Sequence, residues 1–364
     1  MNAVTPDKLA PVAFDDICDF RRVMEELEIS EPRVRAVPHI WRWKDIRDKL
    51  LSSEKHDMSR VHRRAFALCN PGLDGRPIIA TTMFTSVSVY FPGDHAPVHR
   101  HTGSASRFAI EGTGGVTTVA GEKLVMKRGD LVITPNGEWH DHGNEGTEPI
   151  FWIDVLDVPL IEHVNALMTE WNYEEDGKPT KTQSIRKPQG YSQNMFSGAS
   201  IVPMFGWEER KQRDFTPQYQ YPAAEMRRTL ELLRSEKGSA YGGIIVEYVD
   251  PTSGKSVVPT LSFRSQLLRP NENLLDERRT ANIVYCALEG EGTTVINGER
   301  FDWLKNDIFV VPAWHWHHHE NGSADSVLFS VTDQPAVEKL GVFRSQGRNA
   351  HGDIIDLVRW PSFG

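Results

Sequence analysis

The spacing of apolar and polar positions changes along the chain, and each change marks a different kind of element. Residues 14–51 mix Leu, Val, Ile and Trp with charges at helical spacing, as in DDICDFRRVMEELEI and IWRWKDIRDKLL, and predict a helical N-terminal region. Over residues 78–158 the texture becomes short β-rich runs, TSVSVYF, RFAIEG, VTTVAG, DLVITP and FWIDVLDV, separated by Gly, Pro, Asn and Asp. Closely spaced short strands predict an antiparallel barrel or sandwich. Residues 165–239 loosen into polar, Pro-containing sequence within which AAEMRRTLELLRS reads as a surface helix. A second β-rich stretch follows over residues 242–343.

Part of the second stretch repeats the first. RFAIEGTGGVTTVAGE from Arg107 aligns with VYCALEGEGTTVINGE from Val284 once one-residue shifts are allowed, and GDLVITPNGEWHDHGN from Gly129 aligns with NDIFVVPAWHWHHHEN from Asn306. The chain is therefore expected to be dominated by β structure. Its expected parts are a helical region (1–75), a first β-barrel (76–164), a connecting lobe with a helix (165–241), a second β-barrel (242–345) and a tail (346–364).

A chain of 364 residues can bury a sizeable core. Its 41 basic and 50 acidic side chains give a net charge of -9, which offers no footprint for nucleic acid or anionic lipid. The segment MNAVTPDKLAPVAFDD lacks a basic stretch followed by an apolar one, and no run approaches the roughly 20 apolar residues that span a bilayer. A cytoplasmic protein is expected. Cys18, Cys69 and Cys286 are odd in number and far apart, so each is expected to be an ordinary small buried residue.

The chemistry concentrates between residues 93 and 144. His99 and His101 lie two apart in a strand-like run, so a period of two directs both imidazoles to one side, as in a chelate. His140 follows in Gly129-x5-Pro135-x-Gly137-x2-His140-x3-Asn144, where Gly and Pro set turns that return a histidine to the same cavity. Any one of these alone reads equally as a satisfied polar residue; the three together read as a facial metal triad.

These residues resemble the cupin superfamily, whose first motif begins Gly-x5-His-x-His and matches at Gly93, His99 and His101, and whose second is the Gly129-to-Asn144 pattern. The resemblance implies a bicupin, two jelly-roll domains in tandem. Ala105 and Ser106 stand where a fourth ligand, Glu, is expected, which implies a neutral three-histidine set with an open face for a dianionic chelate. In the second barrel the counterparts of His99 and His101 fall among residues 276–279. Only late histidines remain among His315, His317, His318 and His319, with His317 aligned to His140. That barrel is expected to be structural, with a degenerate metal motif.

Two tandem cupins with one complete triad are similar to the gentisate 1,2-dioxygenase family and its salicylate and 1-hydroxy-2-naphthoate relatives. PHIWRWKDI, RRAFALCNPGL, HRHTGSASRFAIEG, TPNGEWHDHGNEG and WIDVLDVPL carry the likeness over most of the chain. It implies a cytosolic homotetramer with one Fe(II) per subunit, which inserts O2 and opens an aromatic ring between its carboxyl- and hydroxyl-bearing carbons. It also implies that Arg63 and Arg107 bind the substrate carboxylate, that His142 contacts the substrate and a proton network, and that Asp154 orients His142 or an arginine. Phe84, Ser86 and Ser88 occupy pocket-wall positions where the family pattern has Trp, Gly or Ala, and Gln. That departure leaves gentisate, salicylate and 1-hydroxy-2-naphthoate open as the hydroxy-acid substrate. Two further readings stand beside the oxygenase: a cupin that binds a small acid without turnover, and a Zn or Mn cupin performing isomerisation or hydrolysis.

Overall fold

A computed structural model of the chain describes residues 19–55, 63–196, 202–204 and 215–359. Each β-rich stretch folds as two facing antiparallel sheets. In the first, one sheet orders Gln220–Tyr221, Leu131–Thr134, Ala105–Glu111, Ile150–Leu156, Phe84–Tyr90 and Arg64–Ala67. The sheet facing it orders Thr169–Glu170, His95–His101, His140–Asn144, Thr113–Val119 and Glu122–Lys127. The second stretch repeats the plan with His39–Trp41, Ile308–Val311, Ile283–Glu289, Ser326–Thr332, Ser262–Leu268 and Ile244–Tyr248. Opposite them lie Glu299–Trp303, Gly292–Ile296, His317–Asn321, Glu277–Arg279, Ser345–Arg348 and Ile354–Val358. The expected pair of barrels is thus a pair of two-sheet jelly rolls.

Local sequence sets the repeated hairpins. Ala120 and Gly121 (φ 49° and 76°) join Thr113–Val119 to Glu122–Lys127, and Asn297 and Gly298 (φ 48° and 87°) join Gly292–Ile296 to Glu299–Trp303. Positive φ at both central residues is the tight turn whose twist matches that of antiparallel strands, which explains why VAGE and INGE recur at equivalent places.

The sheets that carry Phe84–Tyr90 and Ser262–Leu268 bury both faces. Along Phe84–Tyr90, Val87 and Val89 enter one core while Tyr90 enters another. The first of these cores is shared between the two jelly rolls: Val87, Phe108, Ile133 and Phe151 pack with Phe263, Val284, Leu288 and Phe329. Phe108 and Phe329 stack with ring centroids 3.7 Å apart and planes 4° from parallel. Each buried aromatic ring contributes on the order of 1.5–3 kcal/mol of transfer free energy, so this seam stabilises both jelly rolls together. Arg128 donates across it to Leu288 O and Asn306 Oδ1.

The N-terminal region differs from the expected run of helix. His39–Trp41 is a strand that pairs with Ile308–Val311 and so completes the second jelly roll. Helix Trp43–Ser52 then buries Trp43, Ile46 and Leu50, which recur on one helical face, against the shared core. Asp307 receives its entry, accepting from Trp43 N at 2.8 Å and from Arg42 at 2.8 Å. Residues 14–18 of the expected helical stretch lie outside the described residues. Helix Phe20–Leu27 belongs to a separate unit that ends at Arg33, and is capped by Asp19, whose side chain accepts from Arg21 N.

The connecting segment is stitched to the first jelly roll, since Thr169–Glu170 and Gln220–Tyr221 each extend one of its sheets. The expected surface helix is Ala223–Leu233, with Met226 and Leu230 buried and Leu232 exposed. Cys286 is buried as expected, but Cys69 is exposed in a loop that offers it no core, and Cys18 lies outside the described residues. Among the described residues no helix is long and apolar enough to cross a membrane.

Candidate metal centre and active site

Four histidines converge between the facing sheets of the first jelly roll. His99 and His140 are direct cross-strand partners with ring centroids 4.3 Å apart, and an irregularity between Ala96 and His99 re-aims the end of that strand. His101 approaches His140 at 4.8 Å and His99 at 5.8 Å between centroids. His142, on the same buried face as His140, lies 5.4 Å from His99 and 5.2 Å from His140. By distance alone, the ligand nitrogens of His99, His140 and His142 form the compact group, all within 4.8 Å of one another. This buried group can hold a metal.

The hydrogen bonds divide the four differently. In His99, His101 and His140, Nδ1 meets a backbone oxygen two residues away: Pro97 O at 2.9 Å, Gly103 O at 2.6 Å and Glu138 O at 2.8 Å. A carbonyl only accepts, so each Nδ1 carries the proton and each Nε2 keeps its lone pair. The Nε2 atoms of His101 and His140 are buried with no hydrogen-bond partner, and that of His99 accepts from Arg63 at 2.6 Å. His142 is arranged otherwise. Its Nε2 lone pair accepts from Arg107 at 2.9 Å, while Nδ1 faces Thr117 Oγ1 at 3.4 Å. Burial pushes His99 down to about 2 and His101 down to about 4, and holds His140 and His142 well below the ordinary imidazole value; nearby arginines add to each. All four are neutral at pH 7, as metal ligands must be.

Arg107 lies beneath this cluster and is only 1% exposed. It donates to Thr134 Oγ1 at 2.6 Å and to His142, and its Nε stands 3.4 Å from Asp154 Oδ1. Burial lowers its pKa to about 10, with Asp154 opposing the shift, so it remains a cation. Asp154 is directly opposite both Arg107 and Ser86 in the sheet. It accepts from Ser88 at 2.6 Å, Ser86 at 3.5 Å and Trp152 Nε1 at 3.1 Å. Asp154 therefore orients the arginine, and His142 only through it. Phe84 ends the same strand, half-buried and opposite Leu156.

Sequence reasoning missed two aromatic residues. Trp171 follows the edge strand Thr169–Glu170 and stacks on His99, with centroids 4.6 Å apart and planes 18° from parallel. Tyr90 is buried, stacks on Trp152 at 4.6 Å and meets His142 edge-on at 6.5 Å. Period-two alternation with Ser86 and Ser88 would have placed Tyr90 on the inner face; nothing local marks Trp171.

In the second jelly roll, Glu277 lies opposite His317 as His99 lies opposite His140, so Glu277 and Arg279 occupy the places of His99 and His101. Arg279 pairs with Glu277, and His317 Nε2 stands 3.9 Å from the same carboxylate. His318 points outward to Asp276 at 2.6 Å, and His315 bonds Ala313 O at 2.9 Å. Arg278 stacks on Trp314 and Trp316. The triad is dismantled, with a guanidinium supplying the positive charge.

Residues 86–156 match the cupin domain family. The chain is 36% identical over 337 residues to a 5-aminosalicylate 1,2-dioxygenase of Comamonas sp, with 91% of this chain and 87% of that protein covered. It is 34% identical to gentisate 1,2-dioxygenase 1 of Aquipseudomonas alcaligenes, covering 92% of this chain and 93% of the relative. Its fold matches the crystal structure of salicylate 1,2-dioxygenase from Pseudaminobacter salicylatoxidans with a TM-score of 0.81 at 30% identity, over 91% of this chain and 94% of that one. A structure of that enzyme's adducts with gentisate matches equally, with a TM-score of 0.81. A shared fold and 34–36% identity over nine-tenths of the chain agree: the protein belongs to the gentisate 1,2-dioxygenase family of bicupin ring-cleaving dioxygenases, a group of oxidoreductases.

Proposed function

We propose that the chain is an Fe(II)-dependent dioxygenase that opens the ring of gentisate or a related 2-hydroxy aromatic acid, with His99, His101 and His140 holding one iron per subunit through Nε2. The observation that carries the ligand assignment is the pair of buried, partnerless Nε2 atoms on His101 and His140. A buried polar atom without a partner costs about 1–3 kcal/mol, a penalty that a bound cation removes. His142 completes the compact distance group, and its Nε2 is engaged by Arg107 as that of His99 is by Arg63; what separates it is Nδ1, which in His99, His101 and His140 is fixed as a donor by a backbone carbonyl and in His142 is not. Iron held by these three neutral imidazoles would supply a Lewis-acidic, redox-active centre for a hydroxy acid and O2.

The chain's own residues supply the rest. Arg63, half-buried at the Nε2 side of His99, is the cation placed to receive a carboxylate. Arg107 fixes His142 with Nε2 as acceptor, and Asp154 balances the arginine's charge so that it can stay buried. Trp171 shields the outer face of His99. The gentisate adducts of the salicylate enzyme support an aromatic hydroxy acid as substrate. Phe84 and Ser88 favour a second reading, in which salicylate or 1-hydroxy-2-naphthoate is preferred: they are smaller than the Trp and Gln of the family pattern at these positions and leave room for a different or larger ring.

Anaerobic loading with Fe(II), followed by oxygen uptake and ultraviolet absorbance with gentisate, salicylate and 1-hydroxy-2-naphthoate, tests this function. One O2 consumed per substrate, with a conjugated ring-opened acid formed, is the expected result. No uptake with any of the three despite bound iron would leave a non-oxygenase cupin. The family likeness also supports a cytoplasmic homotetramer, which native mass spectrometry checks.

A further inference from the structure

The second jelly roll keeps a charged interior where a purely structural one would be filled with apolar side chains. Arg264, Ser330 and Tyr285 lie in one row across the sheet that carries Ser262–Leu268, on the face turned away from the shared core. Arg279 faces them from the opposite sheet. The two guanidiniums converge on a single amide oxygen: Gln334 Oε1 accepts from Arg264 at 3.0 Å and from Arg279 at 3.3 Å. Among the described residues Glu277 alone answers them from within, because Glu247, 3.8 Å from Arg264, sits at the partly exposed rim.

Donors outnumber acceptors here. Gln266, on the same interior face as Arg264 and 2% exposed, has an Nε2 with no partner, and Arg279 Nε is likewise buried and partnerless. Asn321 Oδ1 is an unpaired acceptor in the same jelly roll, but its Nδ2 anchors it to Leu268 O, Arg269 O and Ala324 O, away from this group. Buried unpaired donors beside paired arginines match an acceptor-rich, negatively charged ligand. The side chains of Arg264 and Arg279 are each 15% exposed, so the group opens to solvent on the arginine side.

We propose that this place in the second jelly roll is a binding site for a small organic carboxylate, gripped by Arg264 and Arg279 with Gln266 behind them. It is separate from the histidine chamber and does not depend on the reaction assigned to that chamber. Calorimetric titration of the full-length, iron-loaded protein with benzoate tests it, because benzoate lacks the ortho hydroxyl needed for chelation. The expected result is one benzoate per chain whose binding survives Arg63→Met but weakens at least tenfold in Arg264→Met and in Gln266→Leu. Gln266→Leu removes the unpaired amide without unbalancing charge, so it carries the test if Arg264→Met does not fold. Absence of benzoate binding, or binding unchanged in both second-module variants, overturns the site. Binding of sulfate at these residues with benzoate excluded overturns the carboxylate assignment.

Discussion

Replacing His101 and His142 in turn discriminates the two ways of choosing three ligands from four histidines. His101→Ala deletes one hydrogen bond, Nδ1 to Gly103 O, worth about 0.5–1.5 kcal/mol, and also deletes a buried nitrogen whose lack of a partner costs about 1–3 kcal/mol. These terms nearly cancel, so the metal-free variant should melt within a few degrees of the parent. With metal the outcome diverges. Losing a direct ligand should exceed the 10–100-fold affinity loss typical of residues that merely orient ligands, which is more than about 3 kcal/mol. His142→Ala removes only an acceptor for Arg107, so its loss should stay within that smaller range. Anaerobic equilibrium dialysis against Fe(II), with metal quantification and paired melts, reads both. A ligand present at 100 times its Kd raises stability by about 2.7 kcal/mol; that metal-dependent shift should vanish in His101→Ala and persist in His142→Ala. Retention of iron and of the shift by His101→Ala, with loss of both in His142→Ala, would refute the hydrogen-bond argument and favour the distance-based group.

Arg107→Met should leave iron content unchanged while kcat/KM for the aromatic acid falls by about 100-fold or more, because His142 loses its anchor and Asp154 its counter-charge; metal analysis beside steady-state kinetics checks the split. Phe108→Ala should cost about 3–5 kcal/mol and destabilise both jelly rolls in one transition, measured by denaturant melts, since its ring stacks on Phe329 across their common core. Burial pushes the His317 and His319 imidazoles below their ordinary 6.5. The unfolded chain therefore binds protons that the folded chain refuses, and stability, complete above pH 6.5, should fall as pH drops below it. His319→Gln should flatten that acid limb in melts from pH 7 to 5, and an unchanged slope would remove His319 as a cause.

Much of this molecule is written locally. The period of two in His99-x-His101, the GDLVITPNGEWH run and its second copy, and the VAGE and INGE hairpins each depend on neighbours a few residues away, so sequence was enough to announce two tandem β-barrels and a histidine chelate in the first. Even the loss of the second chelate was legible, as Glu277 and Arg279 fall where the alignment puts His99 and His101. Other features depend on which distant strands become neighbours. Sequence periodicity could not tell that Asp154 would face Arg107 and Ser86 rather than His142, because cross-strand register joins residues 47 and 68 positions apart. Nor could it bring Trp171 onto His99, give His39–Trp41 to the second jelly roll, or fuse the two cores at Phe108 and Phe329. An apolar strand face states only that it must be buried; which surface covers it, and which buried charge meets which partner, is settled by the packing of the whole chain.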